Sequence, residues 1–186
     1  MRIISGKHRS RKIDMVGIDS TRETADKVRG AIFNSINSYV VDSICLDLFS
    51  GSGSMGLEAL SRGAKFCYFN DINRKAFEVT KKNCSNLNYF QETKITNLDY
   101  HQALKQITKK VDLVFLDPPY ALNCYSEIMM YLIDNQLLNE NSLIVCEVGK
   151  DVKIEPPFNF VIYKEKLYGI KKVIIYRQKG GEIDEV

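Results

Sequence analysis

The chain has 186 residues, 45% of them hydrophobic and 26% charged, which is enough for one domain with a sizeable core and a small appendage. No apolar run nears the ~20 residues of a membrane span, and the basic N-terminus lacks the apolar segment of a secretory signal, so a cytoplasmic protein is expected. The net charge of +3 is unevenly spread: Arg2, Lys7, Arg9, Arg11 and Lys12 give the first twelve residues +5, leaving −2 for the remainder. A nearly neutral body carrying a basic arm points to a polyanionic partner. The five cysteines are scattered, with no C-x-x-C pair; they read as small buried hydrophobes in a reducing compartment, and no metal is expected.

In chain order, residues 2–7 and 11–16 are two short β-prone runs around a Gly-containing basic turn, expected as a hairpin. Residues 24–36 place Ala25, Val28, Ile32, Phe33 and Ile36 at helical spacing, with Thr24 positioned to cap them. Strands and helices then alternate. Strands are expected at 44–49, 65–70, 94–96, 111–117 and 142–148, and helices at 54–62, 74–86, 99–109 and 125–135. Two β runs, 160–167 and 171–176, close the chain around Gly169. This order predicts an α/β fold: a mostly parallel sheet, helices on both faces, and a hairpin supplying an antiparallel strand at one edge. Residues 1–20 are expected as the basic arm and 21–186 as the α/β domain.

The strand at 44–49 runs into Gly51-x-Gly53-x-x-Gly56 and then a helix, with Asp71 twenty residues beyond Gly51 and just after the next strand. Such glycines let backbone approach a ligand, the helix start offers free N–H groups, and an acid at that distance accepts from ribose hydroxyls. The pattern fits any adenosine-containing ligand, NAD included. Asp47 tilts it toward S-adenosylmethionine, because a carboxylate there suits an ammonium and repels a pyrophosphate. Asp99 is placed either to accept from an adenine amine or to cap the next helix, and both roles are compatible.

Asp117-Pro118-Pro119-Tyr120 ends the strand at 111–117, on the edge where open parallel sheets bind ligands. Proline removes an N–H, so Pro118 offers a carbonyl beside the Asp117 carboxylate. An exocyclic amine giving one hydrogen bond to each has its lone pair aimed at a methyl donor, with Tyr120 available to stack on an extruded base. A carboxylate only accepts, and guanine shows two adjacent donors, N1–H and N2–H₂; adenine shows one donor and one acceptor. Asp117 therefore favours guanine N2 over adenine N6.

These segments, with the opening Arg2-Ile-Ile-Ser-Gly-Lys-His-Arg-Ser-Arg-Lys12 and with Thr21-Arg-Glu-Thr-Ala-Asp-Lys-Val-Arg29, resemble the RsmD family of bacterial 16S rRNA guanine-N2 methyltransferases. The resemblance implies a class I, Rossmann-like methyltransferase fold with a seven-stranded sheet and S-adenosylmethionine as donor. It also implies ribosomal RNA within the small subunit as substrate; a monomeric enzyme is expected. Carried over, Asp47, Phe49, Gly51, Gly53, Asp71, Ile72 and Asp99 bind the cofactor, while Asp117, Pro118 and Tyr120 hold the target base. Lys7, Arg9, Arg11, Lys12, Arg22 and Arg29 then contact RNA phosphates. Two positions depart from the family pattern: Glu23, where proline is usual, and Asn70, which leaves positions 70 and 71 both open as the ribose ligand. The competing activities are adenine-N6 methylation of DNA and glutamine-N5 methylation of protein, both better served by asparagine at 117. For an NAD-dependent oxidoreductase, this chain offers no obvious catalytic histidine or lysine near the C-terminal strand edge. A non-catalytic RNA-binding module would not need Asp117.

Overall fold

The computed structural model describes residues 1–17, 26–119 and 121–179. The expected helix cap Thr24, the cation Arg22, the unusual Glu23 and the stacking ring Tyr120 lie outside them. Seven strands form one sheet: β1 (Ile44–Asp47), β2 (Phe66–Asn70), β3 (Thr93–Thr96), β4 (Val111–Leu116), β5 (Leu138–Gly149), β6 (Phe160–Tyr168) and β7 (Lys171–Gln178), in the order β3-β2-β1-β4-β5-β7-β6. The helices are α1 (Asp26–Ser35), α2 (Ser54–Ser61), α3 (Arg74–Asn86), α4 (Tyr100–Leu104) and α5 (Tyr125–Asp134). β1 to β5 run parallel; β7 is antiparallel to β5, and β6 to β7. The antiparallel strand thus sits inside the edge hairpin, with β6 outermost.

Alternation along the central strands explains their apolar sequences. Cys45, Leu113, Phe115, Leu143, Val145, Val173 and Ile175 face one core with α1, α2 and α3. Leu46, Val114, Leu116, Ile144, Cys146, Ile174 and Tyr176 face a second core with α4 and α5. A strand covered on both faces has no polar side to show, so it reads as a continuous hydrophobic run. All five cysteines are buried in these cores, and burial pushes the Cys45 and Cys84 thiols up to about 12.

Two elements differ from expectation. α4 stops at Leu104 rather than continuing to 109. The hydroxyl of Tyr68 accepts the N–H groups of Thr108 and Lys109, and Lys94 Nζ donates to the Gln106 carbonyl at 2.8 Å. Tertiary partners therefore claim the backbone groups that would extend the helix. The arm shows one antiparallel bridge, Arg2 to Lys12, instead of two full strands. Ile3, Ser10 and Ile13 N–H bond within the arm, to the Arg11, Ile3 and Met1 carbonyls, but other donors turn to the domain: Ile4 and Ser5 N–H to the Glu58 carboxylate, Lys7 N–H to the Ser61 carbonyl, and Asp14 N–H to Asn83 Oδ1. Every backbone donor needs a partner, and here the helices supply it. Gly6, at φ +84°, lies so close to α2 that a Cβ would stand 1.8 Å from the Ser61 carbonyl oxygen.

Candidate active site

β1 and β4 are neighbours, with Asp47 beside Phe115. β1 continues on one side to β2 while β4 lies on its other side, so the sheet order reverses between them. Such a switch point, at the C-terminal ends of the strands, is where open α/β sheets bind ligands. The glycine turn and the Asp117 segment both leave the sheet here. Asp47 and Phe115, the last paired residues, stand about one strand spacing apart, ~4.8 Å, and the two segments leave the sheet from there, Phe49 two residues beyond Asp47 and Asp117 two beyond Phe115.

The turn is built by left-handed glycines and by side chains from the next βα unit. Gly51 and Gly53 have φ of +55° and +80°, a region in which other residues are strained. Gly56 is needed for packing instead. A Cβ there would meet the Phe69 ring at 2.3 Å, so its absence lets α2 press onto β2. Thr80 Oγ1 donates to the Gly51 carbonyl, Asn83 Nδ2 donates to the Ser52 carbonyl, and Gly51 N–H donates to Asp71 Oδ2, each at 2.9 Å. Asn83 also exchanges two hydrogen bonds with Asp14 of the arm, at 2.8 and 2.9 Å. One buried asparagine therefore ties the arm to the glycine turn.

Two carboxylates are buried around this turn. Asp47 Oδ2 accepts the Gly56 N–H in the first turn of α2 at 3.0 Å. Desolvation pushes its carboxyl up to about 7, opposed by that hydrogen bond and reinforced by the charge of Asp71. Asp71 is also raised, first by burial, against the N–H groups of Asn73 and Gly51. The Ser50 and Ser52 hydroxyls are buried in the turn without a hydrogen-bond partner. Buried acids held above their ordinary range and unsatisfied hydroxyls form a donor set that fits a cationic, hydroxyl-bearing nucleoside.

Asn70 and Asp71 differ in the hydrogen-bonding capacity they have already used. Asn70 is fully used, donating to the Leu48 and Leu98 carbonyls while its Oδ1 accepts from Thr96 Oγ1 and Leu98 N–H. Asp71 accepts one N–H on each oxygen, which leaves each a lone pair. Ile72, 70% exposed, sits at the same corner. Asp99 caps α4, with Oδ1 accepting from His101 and Gln102 N–H; Oδ2 takes neither bond. Phe49 packs near Tyr100, centroids 6.0 Å apart. Asp117 is half-buried, Pro118 buried and Pro119 exposed, and the Pro119 carbonyl accepts the Leu122 N–H at 2.8 Å to close the turn.

The basic residues divide. Lys7, Arg9, Arg11 and Lys12 are exposed, but at the far end of the sheet from Asp117. Lys7 N–H meets the last residue of α2, and Arg11 donates to the carbonyl of Asn86, the last of α3. Cations there complement the helix C-termini. Arg29 requires a correction: it is 0% exposed and does not reach a phosphate. It pairs with Asp26 at 2.9 Å, lies 3.6 Å from Glu58 and donates to the Arg2 carbonyl. Glu58, itself buried, also pairs with Arg62 at 2.7 Å. The position on α1 looked exposed in sequence because the partner carboxylate belongs to α2.

Sequence reasoning missed Thr80 and Asn83, whose signal is two polar residues on the buried face of α3 beside Ala76 and Cys84. It also missed a bridge between the starts of α4 and α5: Tyr100 OH donates to Glu127 Oε2 at 3.0 Å, and His101 Nε2 lies 2.8 Å from Glu127 Oε1.

This sheet order, with a glycine turn after β1 and acids at the ends of β1 and β2, defines a Rossmann-like fold of the class I methyltransferase type. The family described as "Conserved hypothetical protein 95" matches residues 1–177. The ribosomal RNA small subunit methyltransferase D of Haemophilus influenzae is 37% identical over 180 residues, covering 95% of this chain and 93% of that protein. Its namesake from Escherichia coli is 33% identical, covering 99% and 93%. An Escherichia coli protein solved as a candidate methyltransferase superposes with a TM-score of 0.86 at 30% identity, covering 96% and 98%. The chain belongs to this family, the RsmD family that its motifs resemble.

Proposed function

We propose that this protein methylates the exocyclic N2 amine of a guanine in small-subunit ribosomal RNA, with S-adenosylmethionine as donor. The observation that carries the reading is the adjacency, on β1 and β4, of an acid-and-glycine pocket and an Asp-Pro-Pro segment. The names of the family members at 33–37% identity support RNA as substrate. Asp47 holds the donor's ammonium, Asp71 its ribose hydroxyls and Asp99 Oδ2 its adenine amine, with Phe49 and Ile72 flanking and Ser50 and Ser52 free to pair with polar groups. When bound, S-adenosylmethionine supplies a methyl on a sulfonium that needs no further activation.

The remaining work is positioning. Asp117 and the Pro118 carbonyl accept the two amine hydrogens, which turns the nitrogen lone pair toward the donor. Asp117 also accepts from guanine N1–H, a bond adenine cannot make. The amine proton leaves to the Asp117 carboxylate or to water as the N–C bond forms and the methyl–sulfur bond breaks, the neutral thioether of S-adenosylhomocysteine being the leaving group. Tyr120 stacks on the extruded base. Lys7, Arg9, Arg11 and Lys12 hold RNA phosphates at the distal end of the α2–α3 face, which lengthens the contact without reading sequence.

The test is incubation with methyl-labelled S-adenosylmethionine and protein-free 16S rRNA, assembled small subunits or DNA, followed by nucleoside analysis. N2-methylguanosine from either RNA substrate is the expected product. N6-methyladenine, or label in DNA alone, overturns the proposal.

A further inference from the structure

We propose that the β6–β7 hairpin is a second RNA-contacting element, gripping the substrate beside the target base on the rim that carries Asp117, whereas the arm's cations lie at the other end of the sheet. It rests on the reading of the substrate as RNA. Two successive antiparallel pairings return β6 to the direction of β4, so its C-terminal end reaches the same rim as Asp117. The register makes this concrete. Leu116, Cys146, Ile174 and Glu165 lie in one row across β4, β5, β7 and β6. One step toward the rim, Lys166 pairs with Val173, which pairs with Glu147, and Asp117 follows Leu116. Lys166 therefore stands three strand spacings from Asp117, about 14 Å.

The hairpin carries four lysines, 164, 166, 171 and 172, against one acid, Glu165, within residues 160–172, on a body whose net charge beyond the first twelve residues is −2. Lys164 and Lys166, as alternate residues, share the face of Tyr168, and Lys166 Nζ lies 5.5 Å from that ring's centroid. At the tip, Gly169 at φ +62° makes the two-residue turn, and Leu167 and Ile170 are 61% and 74% exposed. The tip is held: Lys150 N–H donates to the Ile170 carbonyl, and Lys171 pairs with Glu147.

Edge strands carry lysines to block pairing with other chains, which accounts for a cation on β6 but not for bare Leu167 and Ile170, which favour sticking. Cations beside an apolar tip suit a nucleic acid: the lysines meet phosphates, and the tip packs on the bases left exposed when a neighbour is extruded. Residues this exposed leave the fold intact when changed.

The test compares wild type with Lys164→Ala/Lys166→Ala and with Leu167→Ser/Ile170→Ser, using protein-free 16S rRNA and assembled small subunits. The lysine pair is expected to weaken rRNA binding five- to tenfold and to flatten the slope of log K against log salt by about 1.4. The apolar pair is expected to weaken binding with the slope unchanged, and both leave S-adenosylmethionine affinity at the wild-type value. Unchanged rRNA affinity and slope overturn the inference. So does an effect confined to assembled subunits, which assigns the hairpin to a ribosomal protein. Labelled RNA with unaffected variants refutes this inference alone, whereas wild type that labels no RNA removes the function proposed above with it.

Discussion

Replacing Asp47 by asparagine is expected to stabilise the ligand-free protein above pH 7 and to weaken its hold on S-adenosylmethionine. Burial carries this carboxyl from 3.8 to about 7, a difference worth ~4 kcal/mol at most. Between those values the folded protein keeps a proton that the unfolded chain has lost. Stability therefore falls as pH rises from 4 to 7 and stays lowered above. Asparagine keeps the shape and still accepts the Gly56 N–H, but never ionises. The variant should match wild type near pH 4 and exceed it by ~2–4 kcal/mol at pH 8, about 5–15 °C in Tm for a chain of this size. Other carboxylates cancel in the comparison. Ammonium binding restores the charge, so wild-type affinity should climb up to tenfold per pH unit between 5 and 7, while the variant's stays flat and weaker. Thermal unfolding and calorimetric titration from pH 4.5 to 8.5 measure both. A stability difference independent of pH, or equal cofactor affinity at pH 8, refutes the reasoning.

Asp117→Ala should keep wild-type cofactor affinity and lose at least ~100-fold in turnover, because positioned acceptors act mainly in the transition state; substantial residual methylation in a single-turnover assay excludes the role. Asn83→Ala removes three hydrogen bonds, one buried and two partly buried, that link the arm to the glycine turn, so urea unfolding should show a loss of ~2–3 kcal/mol, accompanied by weaker cofactor binding. Gly30 lies within α1, where a Cβ would meet only Ile4 Cδ1 at an ordinary 3.6 Å; Gly30→Ala should therefore add ~0.5–1 kcal/mol by the same measurement.

The alternation of strands and helices was legible in the chain because it arises from short-range physics. β4 and β5 carry short apolar runs, Leu113–Leu116 and Leu143–Cys146, where both their faces are covered, and α3 is capped at its start by Asn73, whose side chain accepts from Lys75 and Ala76 N–H. The glycine turn after β1 and the acids at the ends of β1 and β2 were legible too, as residues at short fixed distances obey local backbone geometry. What only the tertiary structure decided is where polar side chains find partners. Arg29 reads as a surface cation until α2 brings Glu58 against it. α4 reads as eleven residues until the Tyr68 hydroxyl takes its backbone donors. The arm reads as a free hairpin until α2 and α3 absorb its N–H groups. The sheet order that sets Asp117 beside the glycine turn, and the hairpin tip on the same rim, likewise depends on pairings between segments far apart in the chain. Hydrogen-bond satisfaction is a property of the folded whole, and no local pattern announces which distant group will provide it.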